Sequence, residues 1–427
     1  MTLAPFTVLL ALLALVGAPL FAVIAAVAFW GFHREGLDLS IVAIEFYRLA
    51  DMPVLVAIPL FTLAGYLLGE SGAPRRLVRL SDALLGWLPG GLAMVALFIC
   101  ALFTAFTGAS GVTIVAMGAL LYPALRHAGY ERRFNLGLIT TSGSLGLLLA
   151  PALPLILYAV VAQQFGTTPP VGVDEMFRAG LLPALLMVLM LGVYAWWHGR
   201  RLPKPQAAAS LAEIRAALRD AAWELPLPVV VLGGIYAGFF AASEAAAVTI
   251  AWVLLVTVAI RREVPLRALP RVMRESMVLV GAILLIFGVS LAFTNYLVDA
   301  EVPSRLFEAI RERIDSKLAF LLLLNLFLLL LGMLLDIFSA TVIMVPILLP
   351  VALGYGIDPV HLGIIFLANL QLGYFTPPVG MNLFIASYRF NEPIWSLVRA
   401  CLPFFAILLA AVLVITYVPW LSLALVR

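Results

Sequence analysis

Two helix-length apolar stretches of this chain are interrupted at the same internal position, 227 residues apart. The first reads TTSGSLGLLLAPALPLILY over 140–158 and the second LQLGYFTPPVGMNLF over 370–384. Glycines, prolines, hydroxyls and an asparagine stand where a helix crossing a bilayer would be uniformly apolar. The same offset superposes Pro123 on Pro350, Gly129 on Gly356, Gly146 on Gly373 and Pro151 on Pro378 without a gap. Four helix-breaking coincidences in one register mark an internal duplication. Any fold of this chain must hold two copies of a broken element at membrane depth.

Composition supplies the membrane. The 427 residues are 64% hydrophobic and 11% charged, against about 25% charged in soluble domains. The apolar runs have helix length rather than ten-residue alternation, which excludes a barrel. Full spans are predicted near 3–29, 53–70, 134–164, 178–198, 226–241, 243–260, 275–298, 359–388 and 397–426. The first is 27 residues long with no preceding Lys or Arg, too long and wrongly flanked for a cleaved signal peptide.

Two further blocks, 90–126 and 318–353, each hold about 36 residues around a polar, small-residue break, in FTAFTGASGVTIVAMGALLYP and LLGMLLDIFSATVIMVPILLP. Their second limbs, 111–125 and 337–353, are about 22–26 Å long at 1.5 Å per residue. The hydrocarbon core is ~30 Å thick. The blocks therefore read as re-entrant hairpins, with two tilted spans and a tight turn as the alternative.

Arginine placement orients the chain. Loops with Arg75, Arg76 and Arg79, with Arg126, Arg132 and Arg133, with Arg200, Arg201, Arg215 and Arg219, and with Arg261, Arg262, Arg267, Arg271 and Arg274 are expected to be cytoplasmic. Loops 164–177 and 354–358 lack positive charge and are expected outside. The N-terminus is then cytoplasmic and the C-terminus periplasmic. Segment 299–317 mixes both signs and reads as an amphipathic surface helix. Five predicted spans separate the hairpins, and an odd number inverts the second copy. The fold class is an all-α polytopic membrane protein with an inverted repeat, two re-entrant hairpins and two broken helices, a transporter signature.

Several function classes drop out. Lys204 follows Pro203 and Lys317 follows Ser316, and these are the two lysines, so there is no GK[ST] phosphate loop and no ATP hydrolysis by this chain. The four histidines form no HExxH pair, and Cys100 and Cys401 lie in apolar segments without paired spacing, which argues against zinc and a disulfide. No Ser/His/Asp or Cys/His arrangement supports an enzyme, and no organic cofactor is expected. The net charge of +3 comes from short loops, leaving no basic domain for nucleic acid. The expected surroundings are the lipid bilayer.

The breaks themselves carry the chemistry. Non-helical backbone in lipid costs several kcal/mol for each unsatisfied group, so it must be buried or line a wet cavity. Pro377 and Pro378 remove two donors, and Gly373 and Gly380 are expected to let the backbone turn. Freed carbonyls and half-helix C-termini suit a cation such as Na⁺, whereas N-termini suit a carboxylate. Two sodium sites are expected, one per copy. The first draws on Gly108, Ser110, Thr113, Gly143, Ser144 and Gly146, and the second on Asp336, Ser339, Thr341, Gly373, Thr376 and Gly380. Candidate substrate contacts are Ser110, Ser144, Pro151, Ser339, Pro377, Pro378 and Asn382. Asp336 is the sharpest of these, because a midplane carboxylate costs about 2.5–3.5 kcal/mol on insertion scales. The competing readings are a carboxylate that pins the hairpin, prolines that only kink, and hydroxyls that back-bond to their own helices. Glu244 in AASEAAAV reads as scaffold.

GLAMVALFICALFTAFTGASGVTIVAMGALLYPALRHAGYERRF, LDIFSATVIMVPILLPVALGYGIDPVHLGII and NLQLGYFTPPVGMNLFIAS, with SEAAAV between them, resemble the large membrane subunit of tripartite ATP-independent periplasmic (TRAP) transporters over nearly the whole chain. The family usually has a second serine where this chain has Ala109, and two prolines where it has Ala150–Pro151. The resemblance implies sodium-driven import of an organic acid across the bacterial inner membrane. It implies a small four-helix membrane subunit and a periplasmic binding protein as partners. C4-dicarboxylates, sialic acid, and keto or sugar acids are the substrate candidates. It also implies an elevator-type fold with transport halves at 90–164 and 318–390, and scaffold at 1–89 and 165–317 followed by a C-terminal span at 391–427. A stand-alone sodium/dicarboxylate symporter shares the hairpin design and is the alternative.

Overall fold

The computed structural model describes residues 12–13, 18–36, 38–86, 88, 90–167, 170–200, 202 and 210–427. Residues 3–11 and 14–17 of the span expected at 3–29 lie outside the described residues, and helix Leu20–Glu35 covers its last part and continues past its end. The described residues form helices and turns, with no strand among them. Seven of these helices are long and apolar enough to cross a membrane.

The duplication is visible element by element. The first copy runs α1 (Gly91–Thr107), α2 (Ser110–His127), α3 (Arg132–Ser142) and α4 (Leu153–Gln163). The second runs α5 (Lys317–Leu334), α6 (Ile337–Gly354), α7 (Pro359–Gly373) and α8 (Met381–Phe390). Adding 227 to the bounds of α2 reproduces those of α6, and the start of α3 falls on that of α7. The end of α4 falls on that of α8, and the cis bond Ala150–Pro151 falls on the cis bond Pro377–Pro378. Between α3 and α4 a short 3-10 turn, Leu145–Leu148, precedes the break.

Contacts at the two ends give the relative orientation. Arg132 at the start of α3 pairs with Glu392, just beyond the end of α8. From the middle of α4, the Tyr158 hydroxyl reaches the start of α7 and donates to the Pro359 carbonyl at 2.7 Å. Each broken helix thus starts where the other finishes, so the copies are inverted. They touch midway, where Ser144 Oγ donates to the carbonyl of Gln371, its own counterpart in the second copy, at 3.4 Å.

The hairpin tips end at these breaks. The Ile337 N–H donates to the Tyr374 hydroxyl at 2.9 Å, and the Gly380 N–H donates to the Met333 carbonyl at 3.3 Å. A tip fixed at the midpoint of a broken span has not crossed the membrane, so the pairs α1–α2 and α5–α6 are re-entrant. All fifteen residues of α7 are buried, as is α3 from Phe134 to Ser142. That placement is what broken backbone at this depth requires.

Two further helices pack against this group. Val173–Gly199 lies against the first break, where a Cβ on Gly180 would fall 2.1 Å from the Leu148 carbonyl oxygen. Ile394–Tyr417 lies against α3, where a Cβ on Gly137 would fall 2.3 Å from the Ala400 oxygen. A second layer consists of Ala57–Glu70, Ala242–Leu254 with its π-helical extension to Ile260, and Leu269–Asp299. It meets the repeats closely at the first tip, where Gly65 faces the Thr107 backbone.

The full span expected at 226–241 is corrected. Its helix is Pro226–Tyr236, eleven residues, or about 16 Å, because the chain turns at Gly238 with φ +75°. Between 299 and 317 the surface helix Val302–Arg311 forms as expected, with Pro303 its one buried residue.

Candidate substrate and ion site

A cavity of about 320 Å³ lies between the two tips and the second layer. Gly108, Ser110 and Gly111 line it from the first tip, and Asp336 and Phe338 from the second. Tyr374, Tyr66 and Ile283 close it. That volume is at the small end of ligand cavities and suits a molecule of a few heavy atoms.

The first tip turns at Gly108, whose φ of +64° favours glycine. Ala109 is then the N-cap of α2 and supplies no side-chain cap. Among the described residues no acceptor takes the N–H groups of Ser110, Gly111 and Val112. These donors, at the positive end of an eighteen-residue helix, stand beside the cavity and are receptive to an anion.

The second tip is built the other way. Asp336 is the N-cap of α6, and its Oδ1 accepts from the N–H groups of Phe338 and Ser339, each at 3.0 Å. Its Oδ2 accepts from the Ser339 hydroxyl, and the Ile337 N–H goes to Tyr374. This N-terminus is satisfied and carries a negative charge. Ser339 is engaged in the same cap.

Behind the first tip, three parts of the first copy meet at one hydroxyl. Thr104 Oγ1 on α1 donates to the Gly143 carbonyl at 2.9 Å and lies 2.7 Å from Thr113 Oγ1 on α2. Gly143 packs against Ile114 and the Ser110 carbonyl. Five buried side-chain oxygens on the two broken helices have no hydrogen-bond partner among the described residues: Asn135 Oδ1, Thr140 Oγ1, Asn369 Oδ1, Gln371 Oε1 and Asn382 Oδ1. Asn382 crosses between copies, with Nδ2 donating to the Thr140 carbonyl at 3.2 Å and its own N–H to the Tyr374 carbonyl at 2.8 Å. Neutral carbonyl, amide and hydroxyl oxygens of this kind are a donor set for a hard cation.

Other candidates are placed differently. Thr341 Oγ1 donates to the Ile337 carbonyl of its own helix at 2.6 Å, and Thr376 Oγ1, in the break, donates back to the Leu372 carbonyl in the last turn of α7 at 2.7 Å. Ser144 also back-bonds, to the Thr141 carbonyl, besides its contact with Gln371. Pro151 and Pro378 sit in the two cis bonds, the second shared with Pro377. Gly380 has φ +43°, but Gly143, Gly146 and Gly373 do not have positive φ. The turning role expected of Gly373 is therefore corrected to close approach. A Cβ there would fall 2.2 Å from the Gly332 carbonyl carbon, and one on Gly146 would fall 2.0 Å from the Ala101 oxygen. These positions are 227 apart, so each copy presses its break against the first limb of its own hairpin. Glu244 accepts from the Ala241 N–H at 2.9 Å, a capping contact in the second layer.

Thr104, Tyr374, Thr140 and Gln371 were not legible as site residues. A usable signal for Thr104 was the pair of threonines three apart before the tip, in FTAFTGAS. Tyr374 stands inside the break itself, directly after Gly373.

Comparison with known proteins converges on one family. The profile of the tripartite ATP-independent periplasmic transporter DctM component matches residues 3–421. The chain is 36% identical to the C4-dicarboxylate TRAP transporter large permease protein DctM of Rhodobacter capsulatus, over 92% of this chain and 91% of that one. It is 35% identical to the isethionate TRAP transporter permease protein DctMQ of Oleidesulfovibrio alaskensis, over 88% of this chain and 58% of that longer one. Its fold is shared with the YdaH transporter of Alcanivorax borkumensis, at a TM-score of 0.62 and 17% identity, over 90% of this chain and 88% of that one. The inverted hairpins, the paired breaks and the match along the whole length agree: this chain belongs to the DctM component family of tripartite ATP-independent periplasmic transporters.

Proposed function

We propose that this chain is the transport subunit of a sodium-coupled importer of a small organic acid at the bacterial inner membrane. It works with a small four-helix membrane subunit and a periplasmic binding protein that delivers the acid. The observation that carries this reading is the unfilled N-terminus of α2 beside the cavity between the tips. The acid group takes the N–H groups of Ser110, Gly111 and Val112, and Asp336 keeps a second anion from the other tip. Relatives named for C4-dicarboxylate and for isethionate support a small acid as the cargo. Sodium takes the oxygens grouped behind the tips, with Thr104, Thr113 and the Gly143 carbonyl in the first copy. In the second copy, backbone carbonyls near the break serve, because Thr341 and Thr376 already bond carbonyls four residues back.

The moving body comprises α1–α8 with helices Val173–Gly199 and Ile394–Tyr417, which pack on the broken helices. It slides in elevator fashion against Ala57–Glu70, Ala242–Ile260 and Leu269–Asp299. The driving force suffices. A tenfold sodium gradient is worth about 1.4 kcal/mol per ion, and 100 mV adds about 2.3 kcal/mol per charge. Two ions carrying a dianion lose the electrical part and still sustain roughly 100-fold accumulation.

The test is uptake into proteoliposomes holding both membrane subunits, with and without the binding protein, across a panel of C4-dicarboxylates, isethionate and sialic acid. Uptake is expected to require the binding protein and to rise with sodium with a Hill slope above one. Saturable micromolar uptake by this chain alone would establish the stand-alone symporter instead. Uptake in sodium-free buffer under a proton gradient would remove sodium from the account.

A further inference from the structure

A second cavity, of about 360 Å³, lies at the arginine-rich end of the repeats, away from the tips. Its lining is Arg132, Arg133 and Leu136 from the first two turns of α3, Glu392 from the turn after α8, and Ser396 and Arg399 from the start of Ile394–Tyr417. Glu392 is committed to Arg132. Arg133 donates from Nε and Nη2 to the Arg399 carbonyl, at 3.2 and 2.7 Å, which holds its guanidinium against this wall. The Arg399 guanidinium has no ion-pair partner among the described residues. Three guanidinium groups against one carboxylate leave a net charge of +2 on the lining.

The position is a membrane interface. Ile394–Tyr417, an apolar helix of 24 residues, begins at this cavity. Trp395 in its first turn is 70% exposed, and Tyr388 in the last turn of α8 is 93% exposed. Exposed Trp and Tyr at span ends mark the headgroup layer, and clustered arginines mark its cytoplasmic leaflet. Guanidinium forks match phosphate oxygens geometrically, and basic pockets between spans on this side are where phosphate headgroups bind.

We propose that this cavity binds the phosphate of an anionic phospholipid headgroup, held by Arg133, Arg399 and the Ser396 hydroxyl. The lipid ties the first copy, through α3, to helix Ile394–Tyr417, which follows the second copy, at the same end where Arg132 and Glu392 already meet. Nothing in this site overlaps the cavity between the tips.

The test uses the full chain purified in detergent, with native mass spectrometry as the readout and phosphatidylglycerol, phosphatidylethanolamine or inorganic phosphate as the probe. One phosphatidylglycerol is expected to stay bound in preference to phosphatidylethanolamine, undisturbed by excess inorganic phosphate. In the double variant Arg133→Gln/Arg399→Gln its affinity is expected to fall about 30-fold, while Arg215→Gln on helix Leu211–Asp220, which is not part of this lining, leaves it unchanged. Arg133→Lys/Arg399→Lys retains the charge and is expected to recover most of the binding, which separates a lost site from a damaged fold. Equal retention by the Gln double variant would overturn the proposal. Displacement of the lipid by inorganic phosphate would reassign the site to a soluble phosphate and overturn it equally.

Discussion

The two hairpin tips occupy equivalent places in a duplicated structure and do opposite things. Residue 109 and residue 336 are 227 apart, and both are N-caps of an eighteen-residue helix. At 109 the residue is alanine, and three N–H groups are left for something outside the chain. At 336 it is aspartate, and its carboxylate takes the N–H groups of Phe338 and Ser339 and the Ser339 hydroxyl. Duplication supplied two helix N-termini facing one cavity, and a single side chain caps one of them from within. The copies remain alike where geometry is shared, at Gly146 and Gly373, and diverge where chemistry is done.

The largest effects should come from the shared geometry. Gly373→Ala and Gly146→Ala each drive a Cβ into the backbone of their own hairpin. Overpacking of this kind costs about 1–3 kcal/mol or more, so thermal unfolding should show both variants similarly destabilised. Gly281→Ala, where a Cβ meets nothing within 4 Å, should be neutral. A loss at only one of the two repeat glycines would break the equivalence of the copies.

Next in size is the cap itself. Asp336→Ala removes the acceptor for two N–H groups and should cost about 1 kcal/mol of stability, while Asp336→Asn, as good a cap, should restore it. If the asparagine variant is as unstable as the alanine one, the charge rather than the cap is what the second tip needs.

A contrast of similar size, read in sodium affinity, separates bridging from back-bonding hydroxyls. Thr104→Val leaves the Gly143 carbonyl and Thr113 without their shared partner, a penalty of about 1–3 kcal/mol. Roughly tenfold weaker sodium dependence of uptake is expected. Thr376→Val loses only a local bond back to the last turn of α7, and sodium titration should leave it indistinguishable from the parent protein. Equal sodium responses in these two variants would mean that the Thr104 junction is structural alone.

The sequence made the duplication readable because prolines and glycines leave marks that survive in one register, as Pro151 and Pro378 do. It did not separate Thr104 from Thr341, since a threonine in an apolar run looks the same whether it bridges two helices or bonds back to its own. The early end of helix Pro226–Tyr236 was hidden because AGFFA over 237–241 remains apolar past the turn at Gly238. The packing of Val173–Gly199 on the first break rests on Gly180 meeting the Leu148 carbonyl. That approach comes from tertiary structure and has no counterpart in local pattern.

The most direct measurement makes the two tips alike. Ala109→Asp places a carboxylate where Asp336 stands in the second copy, able to accept from the N–H groups of Gly111 and Val112 as Asp336 does from Phe338 and Ser339. The new cap should hold or raise thermal stability by about 1 kcal/mol. It also fills the seat proposed for the acid with the protein's own anion. Losing two charge-assisted hydrogen bonds should then weaken substrate uptake about 100-fold or more. A stable Ala109→Asp protein that has lost uptake is the expected result. A stable Ala109→Asp protein that transports its acid with parental affinity would contradict the account, because the acid would then have its seat elsewhere.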